Sequence, residues 1–484
     1  MRKVPRSTAL AAGALASLAI ACPDREVKRI DPEPQGEHYK EIPVGQNRDV
    51  DILFVIDNSS SMSGEQTSLK TNFPAFINVL ESIEGGLPNV HIGVVTSDVG
   101  VNGYDFGNCQ GEGDDGFLIS SPQAGNTCTA PSGTFIRDVK RADGTRDRNY
   151  PAGKLAETFG CIAEVGDDGC GFEKHLEAMR RALDGRNKEF HRKNAYLAVI
   201  FLADEDDCSV TEQGGIIFDY DEQIDNVSST LGPYDSFRCT EFGVVCDDGL
   251  IERTTKTYGT CVPRKEDDLA KQLVAHPQEY VTFLKNLKGT GSSDDNKIII
   301  ANIVGNPDKL KVLTNDKGRP KLEPSCQSTN GKADPAHRLD WFRKQFQKNT
   351  FVSICNSDLT DALTEIAELL KRAIDDPCIE GAVNTTDAQP NQPGLQINCE
   401  VADVKFSGTD EEDQKQLPRC PMQDENTPVP STDASNPPRP CWYVKAEPTK
   451  CASKPSQLAL IVDRNGAEPE DGTSIIMRCA TVGE

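Results

Sequence analysis

The chain has 484 residues, 37% of them hydrophobic and 26% charged, which is long for one domain and apolar enough to bury a core. A formal charge of −24 repels phosphate backbones and anionic lipid, so nucleic acid is excluded as a partner and cations are favoured. Arg2, Lys3 and Arg6 precede the apolar run 9–21, which is too short to span a bilayer comfortably and suits the core of a signal peptide over residues 1–21.

The stretch "SLAIAC" that follows resembles a bacterial lipobox, although Leu18 stands one position further back than that pattern places it. The resemblance implies cleavage before Cys22 and lipidation of its thiol. Cysteine arithmetic points the same way. Seventeen cysteines are an odd number for an exported chain, and setting Cys22 aside leaves sixteen, enough for eight disulfides. No CxxC spacing occurs and histidines number six, so zinc sites are not expected and an oxidising compartment is. Residues 22–48, polar and rich in Pro and charge, read as a tether that carries the folded part clear of a lipid surface.

From Asp49 onward, buried strands alternate with amphipathic helices. "DILFVID", "VHIGVVTSD", "AYLAVIFLAD", "KIIIANIVG" and "TFVSIC" are near-continuous apolar runs of the kind covered on both faces. Helices are expected over Thr67 to Ile83, Phe172 to Leu183, Gln278 to Leu287, Ala336 to Phe346 and Leu359 to Ile374. This alternation predicts an α/β fold with a doubly wound, mostly parallel sheet over residues 49–377, which binds ligands at the carboxyl ends of its strands. Two Gly- and Asp-rich insertions, near 100–151 and 209–271, are too long to stay ordered without disulfide staples. Cys161 and Cys170 bracket a short turn and read as a local pair, and Cys326 with Cys355 as another. Residues 378–484 alternate Pro-rich segments with short strands around the five cysteines that follow Cys378 and read as a small Cys-rich β module, with Trp442 covering a disulfide.

The first strand delivers Asp57, Ser59 and Ser61 into its exit turn as "DNSSS". One carboxylate and two hydroxyls are hard oxygen donors of the kind Mg²⁺ takes, and neutral hydroxyls leave the ion enough charge to accept a carboxylate from outside. The bland alternative is that the serines cap the following helix. This motif matches the DxSxS pattern of the von Willebrand factor A domain, whose metal-ion-dependent adhesion site also takes an aspartate at the end of a later central strand. "VIFLADEDDCS" puts Asp204 there, with Glu205 where the family commonly has glycine. The resemblance covers roughly Asp49 to Ile374. It implies a divalent cation, Mg²⁺ or else Mn²⁺ or Ca²⁺, held by Asp57, Ser59, Ser61 and Asp204. The family's third motif supplies a threonine. Here the corresponding loop, "VGDDGCGFEKHLEAM", has none, which leaves Asp167, Asp168 or Glu173 as substitutes, with Glu173 and Asp206 as additional metal-site candidates.

The lipobox, tether, cysteines and acidic strand end together are similar to the large surface lipoproteins of myxobacteria that carry such domains. The resemblance implies a lipid-anchored protein of the bacterial envelope, at the outer membrane or cell surface. Its only membrane contact would be the anchor, and its partner a protein or polysaccharide that offers a carboxylate. Two other readings stand beside it. One is a structural or assembly lipoprotein whose metal site is vestigial. The other is a metal-dependent hydrolase, against which the absence of GxxxxGK[ST], GxSxG and HExxH motifs counts, so a non-enzyme is expected.

Overall fold

The computed structural model describes residues 39–43, 48–83, 86–123, 126–141, 145–193, 195–220, 225–288, 297–329, 331–356, 358–374, 378–379, 383–405, 413–431, 437–449, 451–452, 456–465 and 473–480. The signal peptide, Cys22 and the tether up to residue 38 lie outside these. The chain is a mixed α/β protein built on one seven-stranded sheet with several small sheets around it. In spatial order the large sheet runs Lys348–Ser353, Ile298–Val304, Tyr196–Ala203, Asp49–Ile56, Asn89–Thr96, Ile136–Lys140 and Arg146–Arg148. The first five are parallel, as their two-faced apolar sequences require. The last two are antiparallel and come from within the first insertion, which was expected to be loop. Their polar, Arg-rich sequences suit an edge and carry no apolar alternation by which to recognise them.

Helices cover both faces of this sheet. On one face Val50, Ile52, Phe54 and Ile56 pack against α1 (Ser63–Glu81), α2 (Leu155–Ala163) and α7 (Thr360–Ile374). There Phe73 and Phe159 stack with ring centroids 3.6 Å apart. On the other face Leu53 and Val55 meet α3 (His175–Leu183), α5 (Gln278–Lys288) and α6 (His337–Arg343). The remaining helix, α4 (Phe237–Gly243), belongs to the second insertion. Among the described residues, no helix is long and apolar enough to cross a membrane.

Eight disulfides account for every cysteine except Cys22. Such a number places folding in an oxidising, extracytoplasmic compartment. The Cys326–Cys355 bond forms as expected. A Cys161–Cys170 pair does not. The first insertion folds back over both segments, and its two cysteines capture them separately as Cys109–Cys170 and Cys128–Cys161. Cys208–Cys239 and Cys246–Cys261 staple the second insertion.

The C-terminal residues form an antiparallel sheet in the order Tyr39–Pro43, Thr473–Ala480, Cys399–Lys405, Asp413–Leu417, together with a hairpin of Cys441–Ala446 and Leu458–Asp463. Trp442 is buried in this module's own core beside Val401, Leu460 and Met477, and its indole N–H donates to Leu417 O. The strand Tyr39–Pro43 corrects the tether's extent, because part of what reads as linker is a strand of the C-terminal sheet.

Candidate functional site

Asp57 stands at the carboxyl end of the central strand, its N–H donating to Leu202 O of the neighbouring strand at 2.9 Å. Its Oδ1 accepts the N–H of Ser59 at 2.8 Å, which closes the turn, and the hydroxyls of Ser59 and Ser61 lie 3.2 Å apart. Helix α1 starts only at Ser63, and no side chain caps it, so these serines are not helix caps. Asp204 follows the adjacent parallel strand, and the Ser61 hydroxyl bonds its carboxylate. Asp57 is 0% exposed and Asp204 5%, yet Asp57 Oδ2 and Asp204 Oδ1 have no hydrogen-bond partner. The sequence motif therefore assembles as a cluster of oxygens with spare acceptor capacity.

Two locks hold the turn in place. Gln66 of α1 donates to Asp57 O at 3.0 Å and to Gly166 O at 2.8 Å, joining the strand end to the 164–174 loop. Gly169 N–H donates to Asn58 O at 2.8 Å, an approach so close that a β-carbon at 169 would sit 2.3 Å from Asn58 Oδ1. Any other residue there would force the buried Asn58 side chain to move.

Further carboxyls gather behind Asp57 and Asp204. Glu173, 1% exposed, hydrogen-bonds the Glu205 carboxyl, and its Oε1 has no partner. Burial, then Glu205 and Asp57, push the Glu173 carboxyl well above the usual carboxylate range. Burial, then Asp57, raises Asp204 to about 7. Burial, then Asp334 and Asp204, raises Glu205 to about 8. Glu65 is raised by burial as well. His175 Nε2 lies 3.7 Å from Asp57 Oδ2, too far for a hydrogen bond.

Asp206 lines a small space together with Glu173 and Glu205. Its Oδ2 accepts Arg338 N–H at 2.8 Å and its Oδ1 accepts Leu339 N–H at 3.1 Å, so both oxygens also hold the first turn of α6. Asp167 and Asp168 point to solvent, leaving Glu173 as the acidic residue that this loop brings inward. Glu65, Glu205 and Asp334 were missed as members of the cluster. Glu205 had a signal in the dense "ADEDD" run, whereas Asp334 sits on a loop far along the chain that no local pattern connects to Asp57.

Among the described residues, one trio of His, Cys or carboxylate donors lies within 4.8 Å of one another: Cys420, Cys441 and Asp463. It is no metal site, because the two sulfurs are bonded to each other and Asp463 pairs with Arg439. Among the described residues, no three carboxylates around Asp57 come within that distance of one another. An ion there would take one or two of them and complete its shell with serine hydroxyls and water, as Mg²⁺ commonly does. A cleft of about 480 Å³ opens over Ser61, Asp204, Glu205 and Asp334, with Lys321 and Lys332 on its wall.

No family model and no curated protein matches the chain. Among solved structures it is similar to the pilus adhesin (RrgA) from Streptococcus pneumoniae, at 10% identity and a TM-score of 0.29. That similarity covers 91% of this chain and 57% of the adhesin, so the chain spans little more than half of that protein's length, and function has to be argued from the residues themselves.

Proposed function

We propose that the chain is a lipid-anchored surface protein with a doubly wound domain of the von Willebrand factor A type. In this reading Asp57, Ser59, Ser61 and Asp204 hold Mg²⁺, or Mn²⁺ or Ca²⁺, and the ion docks a carboxylate of a protein or polysaccharide partner. The observation that carries it is the pair of buried, partnerless oxygens, Asp57 Oδ2 and Asp204 Oδ1, at the ends of adjacent parallel strands beside two serine hydroxyls. Buried carboxylates without partners are costly, and a divalent cation is the counter-charge that hard oxygen donors accept. The hydroxyls hold the ion without cancelling its charge, which leaves it able to attract an acidic group through the cleft that Lys321 and Lys332 flank. The chain then acts as a binding protein and not as an enzyme, anchored through Cys22 in the bacterial envelope.

Isothermal calorimetry of the full oxidised chain with Mg²⁺, Mn²⁺ and Ca²⁺ tests this reading. Binding at this site is expected for wild type and lost from it in Asp57→Ala. Capture of an acidic partner that persists in EDTA overturns it.

A further inference from the structure

Behind Asp204, Glu173 and Glu205 line one small space together. No lysine or arginine neutralises this pair. The nearest guanidinium in the lining, Arg338, is spent on Asp207 at 2.9 Å and on the carbonyls of Asp207, Gly243 and Ala275. Glu173 Oε1 is buried and has no partner. The two glutamates and Asp334 border a small space of about 20 Å³, whose wall also includes Asp206, Ser236 and Thr240. That is room for about one water or one ion. Glu205 and Asp334 also line the outer cleft with Ser61 and Asp204, so the two spaces are neighbours that share these carboxyls. Asp57, Glu65, Glu173, Asp204, Glu205 and Asp334 crowd more carboxyls around these compartments than one divalent ion neutralises.

We propose that the inner compartment is a second divalent-cation site, held directly by Glu173 and Glu205 and flanked by Asp334, and distinct from the site of Asp57, Ser59, Ser61 and Asp204. Oxygen-only donors and a pocket closed to large ligands suit Mg²⁺, Mn²⁺ or Ca²⁺. With both ions in place, Glu205 lies between them, so loading the inner ion removes a negative charge from behind the outer one and strengthens its pull on an acidic partner.

The experiment is Mn²⁺ titration of the full oxidised chain, read by calorimetry and by the loss of the free-ion electron paramagnetic resonance signal. The expected result is a second Mn²⁺ equivalent in wild type, with one equivalent lost in Glu173→Gln and the other in Asp57→Ala. The ion retained by each variant reports that it is folded. Asp334→Asn, which leaves both glutamates in place, is expected to weaken the inner ion alone. A single equivalent lost in Asp57→Ala overturns the inner site and leaves the outer reading standing. A single equivalent lost in Glu173→Gln and kept in Asp57→Ala overturns the outer reading instead. A folded wild-type chain that binds no Mn²⁺ overturns both.

Discussion

The central strand carries two aspartates on the same face, Asp51 near its start and Asp57 just past its end, and both are 0% exposed. Only the first is answered by a cationic side chain of the protein. Asp51 accepts Arg192 Nε at 2.8 Å and Arg192 N–H at 2.6 Å, and the Arg192 guanidinium also reaches the carbonyls of Val50 and Asn89. Asp57 receives one backbone N–H and no cationic side chain in hydrogen-bonding contact. Three residues beyond Asp204 the protein again matches its charges, with Asp207 on Arg338. The fold thus pairs buried aspartates on both sides of the site and leaves Asp57 Oδ2 and Asp204 Oδ1 without partners, the contrast on which the proposed cation site rests.

The largest expected effect breaks this comparison at its open end. Asp57→Ala is expected to abolish divalent-cation binding at the outer site and leave the thermal midpoint in EDTA unchanged or higher, because it removes a buried charge with no cationic partner. Calorimetry and melting curves with and without EDTA check this. At the closed end, Arg192→Ala strands Asp51 and is expected to cost about 3–5 kcal/mol, read from urea unfolding, with no change in cation binding.

A pH series sharpens the contrast. Burial holds His91, 3.7 Å from Asp51, neutral and lowers its pKa from 6.5 to about 4. The unfolded chain takes up a proton at 6.5 that the folded chain refuses, so this histidine's contribution to stability is lost as pH falls from 6.5 towards 4. His91→Phe is expected to flatten that limb in urea midpoints measured at stepped pH, equally with and without Mg²⁺. A limb that moves with Mg²⁺ would show that the two ends are coupled. The smallest effect belongs to Ser61→Ala. Water can replace one hydroxyl at an ion, so cation affinity is expected to fall about tenfold, or about 1.4 kcal/mol, in the same calorimetric assay.

The five parallel strands and the "DNSSS" turn were legible because burial on both faces leaves an unbroken apolar signal and a strand end fixes where the next side chains go. The strand Tyr39–Pro43 was not legible, since its partner lies at the far end of the chain and its own sequence is polar. The Cys109–Cys170 and Cys128–Cys161 pairing stayed hidden for a related reason. Sequence proximity favours Cys161 with Cys170, and the return path of a long insertion leaves no periodic trace. At the site, Glu173 was visible as the acidic stand-in for a missing threonine, whereas its contact with Glu205 depends on how two loops close over each other.

The pairing of Tyr39–Pro43 with Thr473–Ala480 also sets how the protein carries mechanical load. Tension arriving from residues before Tyr39 runs along a strand whose partners extend from Tyr39 opposite Ala480 to Pro43 opposite Ile476, so those backbone hydrogen bonds resist together in shear. The partner strand is tied to its other neighbour by Cys399–Cys479, which routes the pull into the stapled module before it reaches the strand that ends at Asp57. The module is thus the part of the fold that meets such a pull first, ahead of the strand that begins at Asp49.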